Sequence, residues 1–137
     1  MTMLSSGCEW SWDVDVAGRV SSVKVSGVVT AADAYAAQHS LAAHPGFDPS
    51  FALLLDLSLA SDLPLTWAQA RTIVSQSPIA LRAPRAIVAN TIVSAAMAHA
   101  FRALRDDMTG TDVVRVCRSM REAREWLNAQ AERRRWV

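Results

Sequence analysis

Apolar and polar residues alternate from Glu9 to Val16, with Trp10, Trp12, Val14 and Val16 at every second position and Ser11, Asp13 and Asp15 between them. This period of two predicts a strand whose apolar face holds both indoles. A turn at Ala17 and Gly18 leads into Val20 to Val29, where Val23 and Val25 alternate with Ser22, Lys24 and Ser26 as the antiparallel partner of a hairpin. Gly27 marks a bulge or a close backbone approach within it. Thr30 as N-cap, Asp33 in the first turn and an alanine-rich run to Ala43 predict a helix, which His44, Pro45 and Gly46 end. Phe51 to Leu57 is a compact apolar run closing on Asp56, short enough for a strand buried on both faces, and Leu59 to Leu65 reads as loop.

Past that loop the period becomes helical. Thr66 caps a segment in which Trp67, Ala70, Ile73 and Val74 form one stripe, and Pro78 stops it through its missing N–H. Ala86 to Ala89 is a further buried strand. Met97, Ala100, Phe101, Leu104 and Met108 then recur at helical spacing until Gly110, and Val113 to Cys117 is the last strand. Ser119 and Glu122 pair as the capping box of a closing helix with Ala123, Trp126 and Leu127 on its packing face, fading near Arg134. Two strands, three helix-strand repeats and a final helix predict an α/β fold. Its mixed sheet has about five strands, an N-terminal antiparallel hairpin followed by parallel strands, covered by about four helices. Residues 1–137 are expected to form one domain with an ordered core over about 8–130.

Composition narrows the function classes. Fourteen basic against thirteen acidic side chains leave almost no net charge, so a nucleic-acid partner is not expected, and only Arg133, Arg134 and Arg135 form a basic run. No apolar stretch reaches the roughly 18 to 20 residues of a spanning helix, and residues 1–7 lack a basic region followed by an apolar core. Cys8 and Cys117 are isolated, which fits a reducing compartment. The expectation is a cytoplasmic protein with no integral membrane association.

With these elements placed, the chain resembles the STAS-like family of small bacterial proteins, whose fold is shared with anti-sigma-factor antagonists and is compared with lipid-transfer domains. The resemblance rests on Leu54, Leu55, Asp56 and Leu57; on Arg85 to Ala89; on Met97, Ala98, His99 and Phe101; and on Val114 to Arg118 followed by Glu122, Ala123, Trp126 and Leu127. It spans roughly Gly27 to Leu127 and implies a STAS-like binding or regulatory module that acts through a protein partner or a small apolar ligand. The chain departs from the family at Ala96 and His99, where glycine and arginine are common. The Asp-Ser pair that regulatory members phosphorylate is missing from the stretch Ser61, Asp62, Leu63, Pro64, Leu65, Thr66, so the resemblance implies no phosphoswitch here.

Candidate chemistry is sparse. His39 and His44 are five residues apart and have no HxxxH or cysteine partner, so neither a metal nor any other cofactor is expected. His99, Arg102 and Asp106 share one helical face and read either as an acid, base and anion-binding set or as a solvated face with an ordinary ion pair. Asp56, at the carboxyl end of a strand, is the nearest residue to an active-site acid, and it serves equally as a cap for the adjoining loop. A small enzyme using Asp56, His99 and Arg102 is therefore the alternative to a binding module, and a purely structural self-assembling domain is the third reading. Cys117, inside a strand, reads as a packed thiol. Of the five tryptophans, Trp67 and Trp126 are expected in the core. Trp10 and Trp12 with Val14 are expected either at the interface of a homodimer or under the chain's own helices. Trp136, beside the three arginines, has no assigned role.

Overall fold

In the computed structural model, which describes residues 2–5, 7–109 and 113–135, the chain runs β1 (Thr2–Ser5), β2 (Cys8–Asp15), β3 (Val20–Val28), α1 (Ala31–Ala42), β4 (Ala52–Asp62), α2 (Trp67–Ser75), β5 (Arg85–Val88), α3 (Ile92–Thr109), β6 (Val114–Cys117) and α4 (Met120–Arg135). Among these residues six strands form one sheet in the order β1-β2-β3-β4-β5-β6. β1/β2 and β2/β3 are antiparallel and the remaining pairs parallel. The hairpin, the parallel strands and the four helices follow the expected plan, and β1 adds a short edge strand outside the hairpin.

Each parallel step joins adjacent strands through a single helix, and right-handed crossovers that always move to the next strand place their helices on one side. Thus α1, α2 and α3 cover one face, where Ala34, Ala37, Ile73, Met97 and Ala98 pack against the sheet. Among the described residues the other face receives only α4, which packs Ala123 and Leu127 on β4, β5 and β6. β2 and β3 have no helix there, and Glu9, Asp13 and Lys24 stand exposed on it. Along β4 the alternation serves both layers. Leu53, Leu55 and Leu57 face the three helices, whereas Ala52 and Leu54 face α4.

Several positions differ from expectation. β4 does not stop near Leu57 but continues to Asp62, because β3 still offers backbone partners through two register shifts. Gly27 makes one of these shifts possible. Its φ is +84°, its neighbour Val28 donates N–H to the Gly7 carbonyl at 2.9 Å, and a Cβ at Gly27 would collide with that same oxygen. Val16 leaves the strand for the turn and is exposed. Trp10 and Trp12 are only 7% and 6% exposed, packed with Ala34, Ala37 and Leu41 of α1. The interface expected at Trp10, Trp12 and Val14 is therefore not offered to a partner: the first crossover brings α1 back over the apolar side of the hairpin, and Val14 is half-buried with them. The helix stop expected at Gly110 and the tail residue Trp136 lie outside the described residues.

Candidate functional site

Two apolar recesses flank α2 and α3. The first is a cavity of about 170 Å³ between the sheet and the three helices on its covered face. Its origin is local. The inward side of α1 consists of Ala31, Ala34, Ala37 and Leu41, so short side chains oppose the sheet where longer ones would fill the space. Trp10, Trp12, Leu53 and Leu55 supply the floor, and Met97 and Phe101 of α3 close one side.

Two arginines line this largely apolar chamber together with Gln38 and Ser77: Arg85 at the start of β5 and Arg105 on α3, both buried. Arg85 Nη1 donates to Ala83 O at 2.7 Å, and Nη2 donates to Ile79 O at 2.9 Å and Ala80 O at 3.0 Å. Arg105 donates from Nη1 to Val74 O at 3.3 Å and from Nη2 to Leu81 O at 3.5 Å. Both guanidiniums thus hold the segment from the end of α2 to β5 by its carbonyls. Burial, and then the neighbouring Arg105 charge, push the Arg85 pKa down from the usual guanidinium value, and burial does the same to Arg105. Neither residue was singled out by its chemistry in the sequence. A signal existed for Arg105, which lies four residues past Phe101 on the packing stripe, where a cation is out of place.

The second recess is an open groove between the start of α2 and the first turns of α3, with Trp67, Ile92 and Val93 along it. Trp67 is 60% exposed, Ile92 92% and Val93 46%. The expectation that Trp67 is core is corrected here: it is the first residue of α2, where the helix begins beyond the last strand pairing of β4 with β5. Caps fix both helix starts. Thr66 Oγ1 accepts from Gln69 N–H at 3.1 Å while Gln69 Oε1 accepts from Thr66 N–H at 3.0 Å, a full capping box. At α3, Thr91 Oγ1 accepts from Ser94 N–H at 3.0 Å and Ser94 Oγ from Thr91 N–H at 3.1 Å. Leu63, Met97 and Phe101 belong to both recesses and form the wall between them.

The other candidates are dispersed. Asp56 is buried, and its Oδ1 accepts from Ser58 N–H at 2.9 Å and from Ser58 Oγ at 2.6 Å, the local capping role. By the alternation of β4 it points to the α4 side, whereas His99 is exposed on α3 across the sheet, so the set Asp56, His99 and Arg102 does not converge. Arg102 and Asp106 form an exposed i,i+4 ion pair at 3.9 Å. His39 is exposed on the last turn of α1, and His44 beyond it accepts from Gly46 N–H through Nδ1 at 3.1 Å. No group of three or more His, Cys, Asp or Glu among the described residues is placed to hold a metal ion. Cys117 is buried under α4, where Trp126 packs half-buried beside it. At the start of α4, Ser119 Oγ accepts from Glu122 N–H at 3.1 Å, but the Glu122 carboxylate reaches back one residue further than a capping box, to Arg118 N–H. Arg133 and Arg134 are exposed at the far end of α4. No helix among the described residues is long and apolar enough to cross a membrane.

No protein-family model matches the sequence, and no curated protein matches it. Solved structures do. An anti-sigma factor antagonist from Mycobacterium paratuberculosis superposes with a TM-score of 0.58 at 18% identity, covering 87% of this chain and 94% of that one. A DUF3478 protein with a SpoIIAA-like fold from Shewanella loihica superposes with a TM-score of 0.55 at 17% identity, covering 91% and 98%. The sheet order, the single-sided crossovers and these two superpositions together give the chain the STAS-like, SpoIIAA-like fold.

Proposed function

We propose that the chain is a non-enzymatic regulatory module of the cytoplasm that docks a protein partner in the groove between α2 and α3. The observation that carries this reading is the convergence of Trp67, Ile92 and Val93, large apolar side chains left in water along one groove. Monomeric proteins seldom leave such side chains together, and tryptophan is among the residues that most often dominate binding energy. The groove also lies where α2 and α3 begin, after the carboxyl ends of β4 and β5, a common place for recognition in parallel sheets. One of the fold neighbours is named for acting on an anti-sigma factor, itself a protein.

The test is Ile92→Asp. A carboxylate in the first turn of a helix suits the dipole, so the fold should be unharmed. The partner recovered from native extract, purified and remixed, should bind the variant roughly 30-fold more weakly than the wild type, the loss of about 2 kcal/mol that a central contact carries. Equal affinity for wild type and variant would refute the groove as the docking site. A second reading, that the module senses a small apolar molecule, is favoured by the cavity under α1, which is separate from the groove and walled by indoles and leucines.

A further inference from the structure

We propose that the cavity binds a small apolar carboxylate, its hydrocarbon part against Trp10, Trp12 and Leu55 and its anionic end at Arg85 and Arg105. The inference rests on the small-molecule reading and assigns that molecule a charge and a size. Both arginines line the cavity and are 5% and 6% exposed. Two buried guanidiniums close enough for one to disfavour the charge of the other are a costly arrangement, since desolvation and like charge act in the same direction. The carbonyls of Ile79, Ala80 and Ala83 satisfy hydrogen atoms of Arg85 but bring no formal negative charge. Among the described residues Arg85 makes no ion pair with a carboxylate. Its Nη1 and Nη2 are engaged by carbonyls, which leaves Nε–H as the donor not used in the protein's own hydrogen bonds. An anion at the Arg85 Nε–H neutralises a charge that the carbonyls around Arg85 only orient, and a hydrogen bond between an ionised guanidinium and a carboxylate is stronger than one between neutral groups.

The remaining walls decide what the anion is attached to. Apart from Gln38 and Ser77 these walls are apolar, with leucine, valine, methionine and indole surfaces that cannot replace the hydration of a free inorganic anion, so phosphate or sulfate alone is a poor occupant. The volume, about 170 Å³, is close to that of an engineered apolar cavity of about 150 Å³ that takes benzene. The chemistry that fits is therefore a carboxylate bearing a short alkyl chain or a single ring. A long-chain lipid or a nucleotide is too large.

Hexanoate, hexan-1-ol and inorganic phosphate are the probes, titrated into the purified chain with Trp10 and Trp12 as fluorescent reporters in the cavity wall. Hexanoate should bind saturably and at least tenfold more tightly than hexan-1-ol, and phosphate should not bind. Equal affinity for hexanoate and hexan-1-ol would overturn the carboxylate assignment and leave the apolar-ligand reading standing. Absence of binding by either would overturn both. Ala37→Leu fills the chamber from α1 and should abolish hexanoate binding while cooperative melting is retained; hexanoate affinity unchanged in a folded Ala37→Leu protein would refute the cavity as the site. Where that variant does not fold, nuclear Overhauser contacts in the wild type decide the matter. Contacts from hexanoate methylenes to the Leu55 and Met97 methyls support the assignment, and contacts only elsewhere overturn it.

Discussion

Shortening Trp12 to alanine separates the two places its indole was expected to occupy. The side chain is 6% exposed and sits under α1 with Ala34, Ala37 and Leu41, so the change removes a large buried surface from the interior and enlarges a chamber that is already incompletely filled. Truncations of this kind cost about 3 to 5 kcal/mol, a large part of the roughly 5 to 15 kcal/mol by which domains are stable. With a urea dependence of about 2 kcal/mol per molar, a loss of about 4 kcal/mol lowers the unfolding midpoint by about 2 M. Trp67→Ala is the internal control. Its indole is 60% exposed in the groove, and surface changes stay within about 0.5 kcal/mol, so its midpoint should move by roughly 0.25 M. Urea titrations followed by far-ultraviolet circular dichroism, with light scattering on the same samples, provide the measurement. A Trp12→Ala protein with a wild-type midpoint but a smaller mass in solution would refute intrachain burial and return Trp12 to a subunit interface.

Two further outcomes are expected. Thr66→Ala removes the side-chain half of the α2 capping box and should cost about 1 kcal/mol in a urea titration; an unchanged unfolding midpoint would mean that the cap does not hold the start of α2. Burial raises the Cys8 and Cys117 thiol pKa values, aided at Cys8 by Asp33 and at Cys117 by Glu122, so the thiolate is scarce at neutral pH. Iodoacetamide at pH 7.5 should leave both unmodified until denaturant is added, and rapid native labelling of either, read by mass spectrometry, would contradict its place in the core.

How much of this was legible depended on whether a signal was local. The alternation from Trp10 to Val14 shows which residues share a face, because one side of the strand is buried and the period of two cannot be satisfied otherwise. It does not show what covers that face. The handedness of the crossover after β3 decides that, and it brought α1 over the indoles where a second subunit was the alternative. The extension of β4 to Asp62 was hidden because Ser58, Ser61 and Asp62 break any apolar period. Its partners lie more than thirty residues earlier, at Ser26 to Val28. Trp67 shares the helical stripe of Ala70 and Val74, yet it is exposed because α2 begins past the last strand pairing of β4 with β5. Arg105 was readable as a cation on an apolar stripe, but its approach to Arg85 depends on how α3 packs across the sheet, against β4 and β6, and has no trace in sequence spacing.

The two recesses meet at Leu63, Met97 and Phe101, and this constrains any regulation that the module performs. A molecule in the cavity presses on the inner surfaces of Met97 and Phe101, while a partner in the groove presses on their outer surfaces. Coupling then requires only that these side chains have two packed arrangements, one favoured by each occupant or by both together. Methionine is suited to this, because an unbranched thioether changes rotamer at little cost. The coupling is also reciprocal. Whatever factor hexanoate applies to partner affinity, the partner must apply to hexanoate affinity, so titrations run in both orders must give one number. A factor of one in both orders would mean that the shared wall is rigid and that cavity and groove act as separate sites. Met97→Ile keeps the wall apolar but stiffens it by branching at Cβ, and it should bring a larger factor towards one without abolishing either binding event.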